Sequence, residues 1–395
     1  MTVQGHCDPR FARVREVFDT SFAGGEELGA AFAVYLGGEP VVDLWGGVAD
    51  RHTGRAWERD TPVLTYSCTK AVTATALLML AERGLVDVAA PVAEVWPEFA
   101  AHGKQDVTVE QVLSHQSGLP AIDEEVPVEE FEDHPAIAAR LAGQAPIWEP
   151  GTAHGYHALT YGFLAGEIVR RVTGRSTGEV VAEEIAGPRG LDLWLGAPDD
   201  VAARAARLSA GERAGSTGGM ATPPPPPGEG TPLEQLARAV LDKTSLMNRA
   251  LGNPNPNKLK GGGNHPVILR TGWPAMGLVA TARGLAGFYR DLIAGEILKH
   301  DTLRDAMRRR AHGPDRVLII DSSFGLGYMR SSMNFLTPRR AADTAFGHTG
   351  LGGSLGLGDP DHGLAMAYTM NRMTTAGPGV LRAYRLASAV YDSLD

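Results

Sequence analysis

Three short stretches of the chain carry residue types that together could perform acyl transfer. Ser67-Cys68-Thr69-Lys70 is the only S-x-x-K present, and it stands where a helical pattern begins. Residues three apart on a helix share a face, with Cβ atoms about 5–6 Å apart, so the lysine amine can reach the serine hydroxyl. A serine hydroxyl is a poor nucleophile until a base takes its proton, and a lysine desolvated beside it shifts toward its neutral, basic form. The helix N-terminus would add N–H groups and a positive field for a developing oxyanion. The same tetrapeptide also fits a plainer role, with Ser67 capping a core helix and Lys70 reaching outward along the surface.

The second stretch is Tyr156, which follows Pro150-Gly151-Thr152 and precedes an amphipathic run beginning at Thr160. Beside a lysine ammonium a phenol titrates below its usual value of about 10 and can shuttle a proton. Tyrosine at a loop-helix junction serves equally well as packing. The third stretch, Phe346-Gly347-His348-Thr349-Gly350-Leu351-Gly352-Gly353-Ser354, is rich in glycine, which lets a strand edge approach a ligand. Such an edge would place His348 over the site and offer a backbone N–H to an oxyanion hole shared with the Ser67 N–H. Within it, Gly352 to Gly356 matches G-x-S-x-G, a nucleophile elbow that needs a strand before the serine and a helix after it. The residues after Ser354 read instead as strand, an Asp359-Pro360-Asp361-His362-Gly363 turn and another strand, so Ser354 is expected to be structural.

The elements that must position these residues are legible as patterns. Phe11 to Phe22 has helical spacing, and AAFAVYL and VVDLW flank a Gly37-Gly38-Glu39-Pro40 turn, predicting a helix followed by a hairpin. Helices are predicted from Ser67 to Gly84 and from Thr160 to Gly174, each stopped by glycine. RVLII (316–320), Gly352 to Gly358 and Leu364 to Met370 read as strands, and a last helix starts near Gly379. Sheet-forming ends (1–66 and 268–395) thus enclose a mainly helical segment (67–267), an α+β pattern with a helical insertion. Within that segment residues 210–266, with the Pro223 to Pro227 run and Gly261 to Gly263, read as a loop-rich excursion beside the site.

Composition narrows the class of partner. At 395 residues and 43% hydrophobic, the chain can bury a large core. A net charge of -9 and a pI of 5.8 lack the basic excess that nucleic acid or an anionic membrane requires. A small molecule is the expected ligand. No secretory leader or spanning segment is read, which predicts a cytoplasmic protein. Cys7 and Cys68 are expected as free thiols, and no His or Cys spacing suggests a metal site.

The ordered set S-x-x-K, Tyr after P-G-T, and H-T-G before a glycine-rich strand resembles the serine β-lactamase and penicillin-binding-protein family. Leu113-Ser114-His115-Gln116-Ser117-Gly118-Leu119-Pro120 and Val172-Thr173-Gly174 add to the likeness, which runs from about Gly29 to Asn371. The resemblance implies an antiparallel sheet flanked by helices, and within the family the chain is most similar to the family VIII carboxylesterases. It implies Ser67 as the acylated nucleophile, Lys70 and Tyr156 as base and proton relay, and the Ser67 and Leu351 N–H groups as oxyanion hole. His348, Thr349 and Gly350 would contact substrate, and no cofactor or metal would be needed. Two departures matter: the Y-x-N asparagine is Ala158 and the K-T-G lysine is His348. Both disfavour β-lactams and fit a neutral ester. A β-lactamase or D-Ala-D-Ala peptidase, a transacylase using the same acyl-enzyme, and a silent binding protein are the alternatives.

Overall fold

The computed structural model describes residues 2–211, 230–375 and 378–394. Strands from the two ends of the chain form one sheet: β1 (Gln4–Cys7), β2 (Gly29–Leu36), β3 (Glu39–Asp50), β4 (Ala311–Pro314), β5 (Asp321–Phe324), β6 (Met329–Arg330), β7 (Phe346–Thr349), β8 (Leu355–Asp359) and β9 (Leu364–Met370). Their order is β1-β3-β2-β9-β8-β7-β6-β5-β4, every neighbour antiparallel, with the short strand Arg55–Ala56 paired to β3. β2 and β9 lie side by side at the centre, and their unbroken apolar runs match burial on both faces. The two glycines of the β2–β3 hairpin, Gly37 and Gly38, both adopt positive φ, as its tight turn requires.

Helices cover both faces of this sheet: α1 (Ala12–Ala23), α2 (Thr69–Glu82), α3 (His134–Gly143), α4 (Thr160–Thr173), α5 (Ala282–Ile293) and α6 (Arg382–Asp392). Phe18 and Phe22 of α1 share a core with Leu386 and Val390 of α6 and with Phe32, Val34 and Leu44 of the sheet. On the opposite face α5 packs on β9, β8 and β2. Gly356 makes that approach possible, since a Cβ there would stand 2.4 Å from the Tyr289 ring. Beyond α5 lies the helical layer, whose axis is α2. Every residue from Thr69 to Leu80 is buried, so α2 is a core helix with no solvent face. It packs against α4, which packs in turn on α3.

Four elements differ from their sequence reading. The helix carrying S-x-x-K starts at Thr69, leaving Ser67 in the turn before it. Gly352 to Ser354 is the turn into β8 rather than strand, because Gly352 and Gly353 take positive φ. Within residues 210–266 the described part is not mainly loop: Pro232–Leu241 and Leu246–Gly252 are helices, started by a Thr231/Glu234 capping box and by a Ser245 cap. The Pro223 to Pro227 run lies outside the described residues. RVLII is the turn between β4 and β5, not a strand, and the Asp315 side chain is the reason. It accepts the Val317 and Leu318 N–H groups, both at 2.8 Å, and this local bonding overrides the β propensity of the apolar run.

Candidate active site

Ser67 is delivered by a short second sheet in which Val63–Leu64 pairs with Val279–Ala280, itself paired with Leu193–Leu195. The Thr65 N–H and hydroxyl both bond the Leu278 carbonyl, at 2.9 and 3.1 Å. Tyr66 then takes φ of +50°, a left-handed conformation that costs a non-glycine residue about 1–3 kcal/mol. That kink turns the chain into α2 with Ser67 at its mouth.

One turn on, the Lys70 side chain is wholly buried. Its Nζ lies 2.8 Å from the Ala158 carbonyl, 3.0 Å from the Ala275 carbonyl and 3.2 Å from Ser67 Oγ. Carbonyl oxygens only accept, so two of the three directions around nitrogen hold N–H bonds and the third faces the serine. No carboxylate contacts this amine among the described residues. Burial without a counter-ion drives its pKa well below the ordinary lysine value. In the neutral amine the third direction is a lone pair, placed to take the Ser67 proton.

Tyr156 stands on the other side of the pair, with Lys70 Nζ 4.7 Å from its ring centre. Here the electrostatics differ from the sequence expectation of a lowered phenol pKa. Burial raises it above the ordinary tyrosine value, more than a hydrogen bond with Ser67 lowers it. The lysine that was to pull it down is itself depressed, so the phenol keeps its proton at neutral pH.

The loop bearing Tyr156 is held by three successive backbone N–H groups. Gly155 donates to the His115 carbonyl at 3.1 Å, Tyr156 to both carboxylate oxygens of Asp315 at 3.0 and 3.1 Å, and His157 to His115 Nδ1 at 3.1 Å. His115 adopts φ of +63° and sets its ring 5.1 Å from that of Tyr156. Burial lowers the His115 pKa well below the ordinary histidine value, and since Nδ1 accepts, the neutral ring carries its one proton on Nε2. Sequence reasoning quoted His115 only within a family segment and did not see Asp315 at all. Gly313-Pro314-Asp315, a turn signal ahead of an apolar run, was the trace available.

β7 closes the third side. The Cys68 thiol donates to the His348 carbonyl at 3.3 Å, tying α2 to β7, and burial pushes this thiol up to about 12. The His348 side chain is 1% exposed, with Nδ1 2.7 Å from the Thr349 carbonyl. Nδ1 is therefore the donor, and Nε2 presents a lone pair with no partner among the described residues. Burial, then the nearby Lys70, pull its pKa down to about 3, so this position is uncharged. The Thr349 hydroxyl bonds the Asn334 carbonyl at 3.3 Å, turned toward its neighbouring loop. Gly350 presses on the strand leading to Ser67, where a Cβ would meet the Thr65 carbonyl at 2.1 Å. Leu351 follows in the turn with its side chain 50% exposed, and its N–H makes no hydrogen bond among the described residues.

Ser354 is buried, its hydroxyl has no partner among the described residues, and β8 rather than a helix follows it, so it lacks the context of a nucleophile elbow. Three tryptophans can be placed relative to the site, and Trp273 is core: it is 1% exposed, bonds the Phe131 carbonyl and packs on Phe131 and Phe163. Trp194 lines a cleft with His134, Thr177 and Pro274 that Ser67, Lys70 and Tyr156 do not line. Trp148 alone adjoins the Tyr156 loop, 6.1 Å from the His157 ring.

The family model described as Beta-lactamase matches residues 14–391. The chain is 36% identical over 386 residues to the esterase/beta-lactamase LipL of Mycobacterium tuberculosis, covering 94% of this chain and 83% of that protein. It is similar to the crystal structure of a family VIII carboxylesterase, with a TM-score of 0.84 and 35% identity over the whole of both chains. A penicillin-binding protein homolog from Caulobacter crescentus matches with a TM-score of 0.83 and 38% identity, also over the whole of both.

Proposed function

This chain belongs to the β-lactamase family and is a serine hydrolase of the carboxylesterase type; from that premise we propose that it hydrolyses uncharged carboxylic esters of small alcohols through an acyl-Ser67 intermediate. The observation that carries the assignment is the buried Lys70 amine, held by two carbonyls with its remaining direction on Ser67 Oγ. Lys70 takes the Ser67 proton as Oγ attacks the ester carbonyl, and the N–H groups of Ser67 and Leu351 receive the developing negative charge. Tyr156, protonated, gives its proton to the departing alkoxide and regains one from Lys70. Water then attacks the acyl carbonyl, and its proton passes through the same pair to Ser67 Oγ as the acyl–Ser67 bond breaks and the acid leaves.

The neutrality of the pocket selects the substrate. A β-lactam carries a carboxylate, and His348 offers it an acceptor lone pair where the family places a lysine. The same acceptor leaves an uncharged ester undisturbed. Turnover of p-nitrophenyl acetate and butyrate, measured beside nitrocefin with wild type, Ser67→Ala and Ser354→Ala, tests the assignment. Ester turnover is expected to be lost only in Ser67→Ala, by about four orders of magnitude or more, with nitrocefin slow throughout. Ester hydrolysis surviving in Ser67→Ala would overturn the mechanism.

A further inference from the structure

We propose that Asp315 is the positioning residue of the Tyr156 arm, its carboxylate fixing where the phenol stands against Ser67 and Lys70. The inference rests on the role given to Tyr156 above and adds a residue to it. Asp315 is 2% exposed and lies 159 positions along the chain from the tyrosine. Both of its oxygens are saturated by donors: the Tyr156 N–H reaches both, the Val317 and Leu318 N–H groups reach Oδ1, and the Ser322 hydroxyl reaches Oδ2 at 2.7 Å. His154 Nε2 stands 2.9 Å from Ser322 Oγ, and the His154 carbonyl accepts the Arg316 N–H at 3.1 Å. One buried side chain thereby locks the β4–β5 turn and the tyrosine loop to each other.

Stabilising its own turn would need only the Val317 and Leu318 bonds. The Tyr156 bond goes further, because Asp315 is the one partner of that N–H among the described residues, and the neighbouring N–H groups of Gly155 and His157 are held separately by His115. Removing Asp315 therefore frees the residue that carries the phenol while both flanks stay docked. A displacement of about 1 Å in a reacting group costs on the order of a hundredfold in rate, so the loss falls on turnover.

The test compares wild type, Asp315→Ala, Asp315→Asn, Tyr156→Phe and the double variant Asp315→Ala/Tyr156→Phe on p-nitrophenyl butyrate. Active Ser67 is counted by complete labelling with a fluorophosphonate, so that kcat is expressed per labelled site. Asp315→Ala is expected to lower kcat per site about 30- to 100-fold with KM within about threefold. Asp315→Asn keeps an acceptor for the Tyr156 N–H and should return to within about fivefold of wild type. In the Tyr156→Phe background, where no phenol remains to be placed, Asp315→Ala should add less than about threefold. A loss explained wholly by fewer labelled sites, or an equal loss in both backgrounds, would overturn the proposal and leave Asp315 a fold-stabilising residue. If Asp315→Ala yields no folded protein, Asp315→Glu decides, because its extra methylene keeps the acceptor and shifts it by about 1.5 Å: a drop of tenfold or more per site supports the proposal, and unchanged kcat overturns it. Full activity in Tyr156→Phe would instead be the failure of the role assigned to the tyrosine, which separates the two outcomes.

Discussion

The two arms of the site are built by different means. Ser67 and Lys70 lie one turn apart where the chain enters α2, and the local turn closed by the Lys70 N–H on the Ser67 carbonyl, at 3.0 Å, decides their separation. Tyr156 lies on a loop with no repeating structure, and its place is decided by side chains that accept backbone N–H groups, His115 and Asp315, brought from remote parts of the chain. The first arm is a local rule applied once. The second is a set of non-local bonds, each of which must be present. The helical arm should therefore fail only when its own side chains change, while the loop arm should fail also when its supports do.

Breaking the helical arm has the largest effect. Lys70→Met is expected to lower kcat/KM for p-nitrophenyl butyrate about a thousandfold or more while the protein remains folded. The same variant exposes the cost of burying an amine. Lys70 has a folded-state pKa depressed below its unfolded value of about 10.4, so between the two the unfolded state binds one more proton and wild-type stability rises with pH. That contribution is complete above the unfolded value and is lost as pH falls toward the folded one. The melting temperature of wild type relative to Lys70→Met should therefore climb from neutral pH toward pH 10, and parallel curves would show that Lys70 is charged in the folded protein.

The loop arm gives the next effects. Tyr156→Phe removes the proposed proton donor and should cost about 100-fold in kcat. His115→Ala removes the acceptor for the His157 N–H and the ring against Tyr156, while its carbonyl still holds Gly155. A loss of about 10- to 50-fold in kcat with KM little changed is expected, smaller than for Tyr156→Phe. If His115→Ala matched wild type, the claim that the loop arm depends on its supports would fall.

This asymmetry also explains what could be read from the sequence. The S-x-x-K spacing, the hairpin around Gly37-Gly38, the amphipathic α4 and the strands β8 and β9 are local patterns, and each stands in the structure where its pattern placed it, within a few residues. Tyr156 could be found because its segment has a recognisable order after Ser67, but nothing local said what holds it. Asp315 was invisible for a physical reason. Its hydrogen bonds make RVLII a turn where the apolar run reads as a strand, and nothing in the local pattern singles out the carboxylate before it. The phenol's electrostatics were misjudged for a related reason: proximity to a lysine was legible, but the desolvation that neutralises that lysine and raises the tyrosine is a property of the assembled core.

The smallest effect sharpens the comparison at the third side of the site, where a backbone group rather than a side chain is assigned the work. Leu351 is exposed on the turn after β7, and the proposed mechanism uses only its N–H. Leu351→Ala keeps that N–H and should leave kcat within about twofold, in contrast to Tyr156→Phe. His348→Lys, in the same strand, should leave the small esters within about tenfold while raising nitrocefin turnover relative to them, since a cation would replace an acceptor lone pair opposite the carboxylate. An unchanged ratio of nitrocefin to ester turnover would show that the charge at position 348 does not set the preference, and that the selection of neutral substrates lies elsewhere in the pocket.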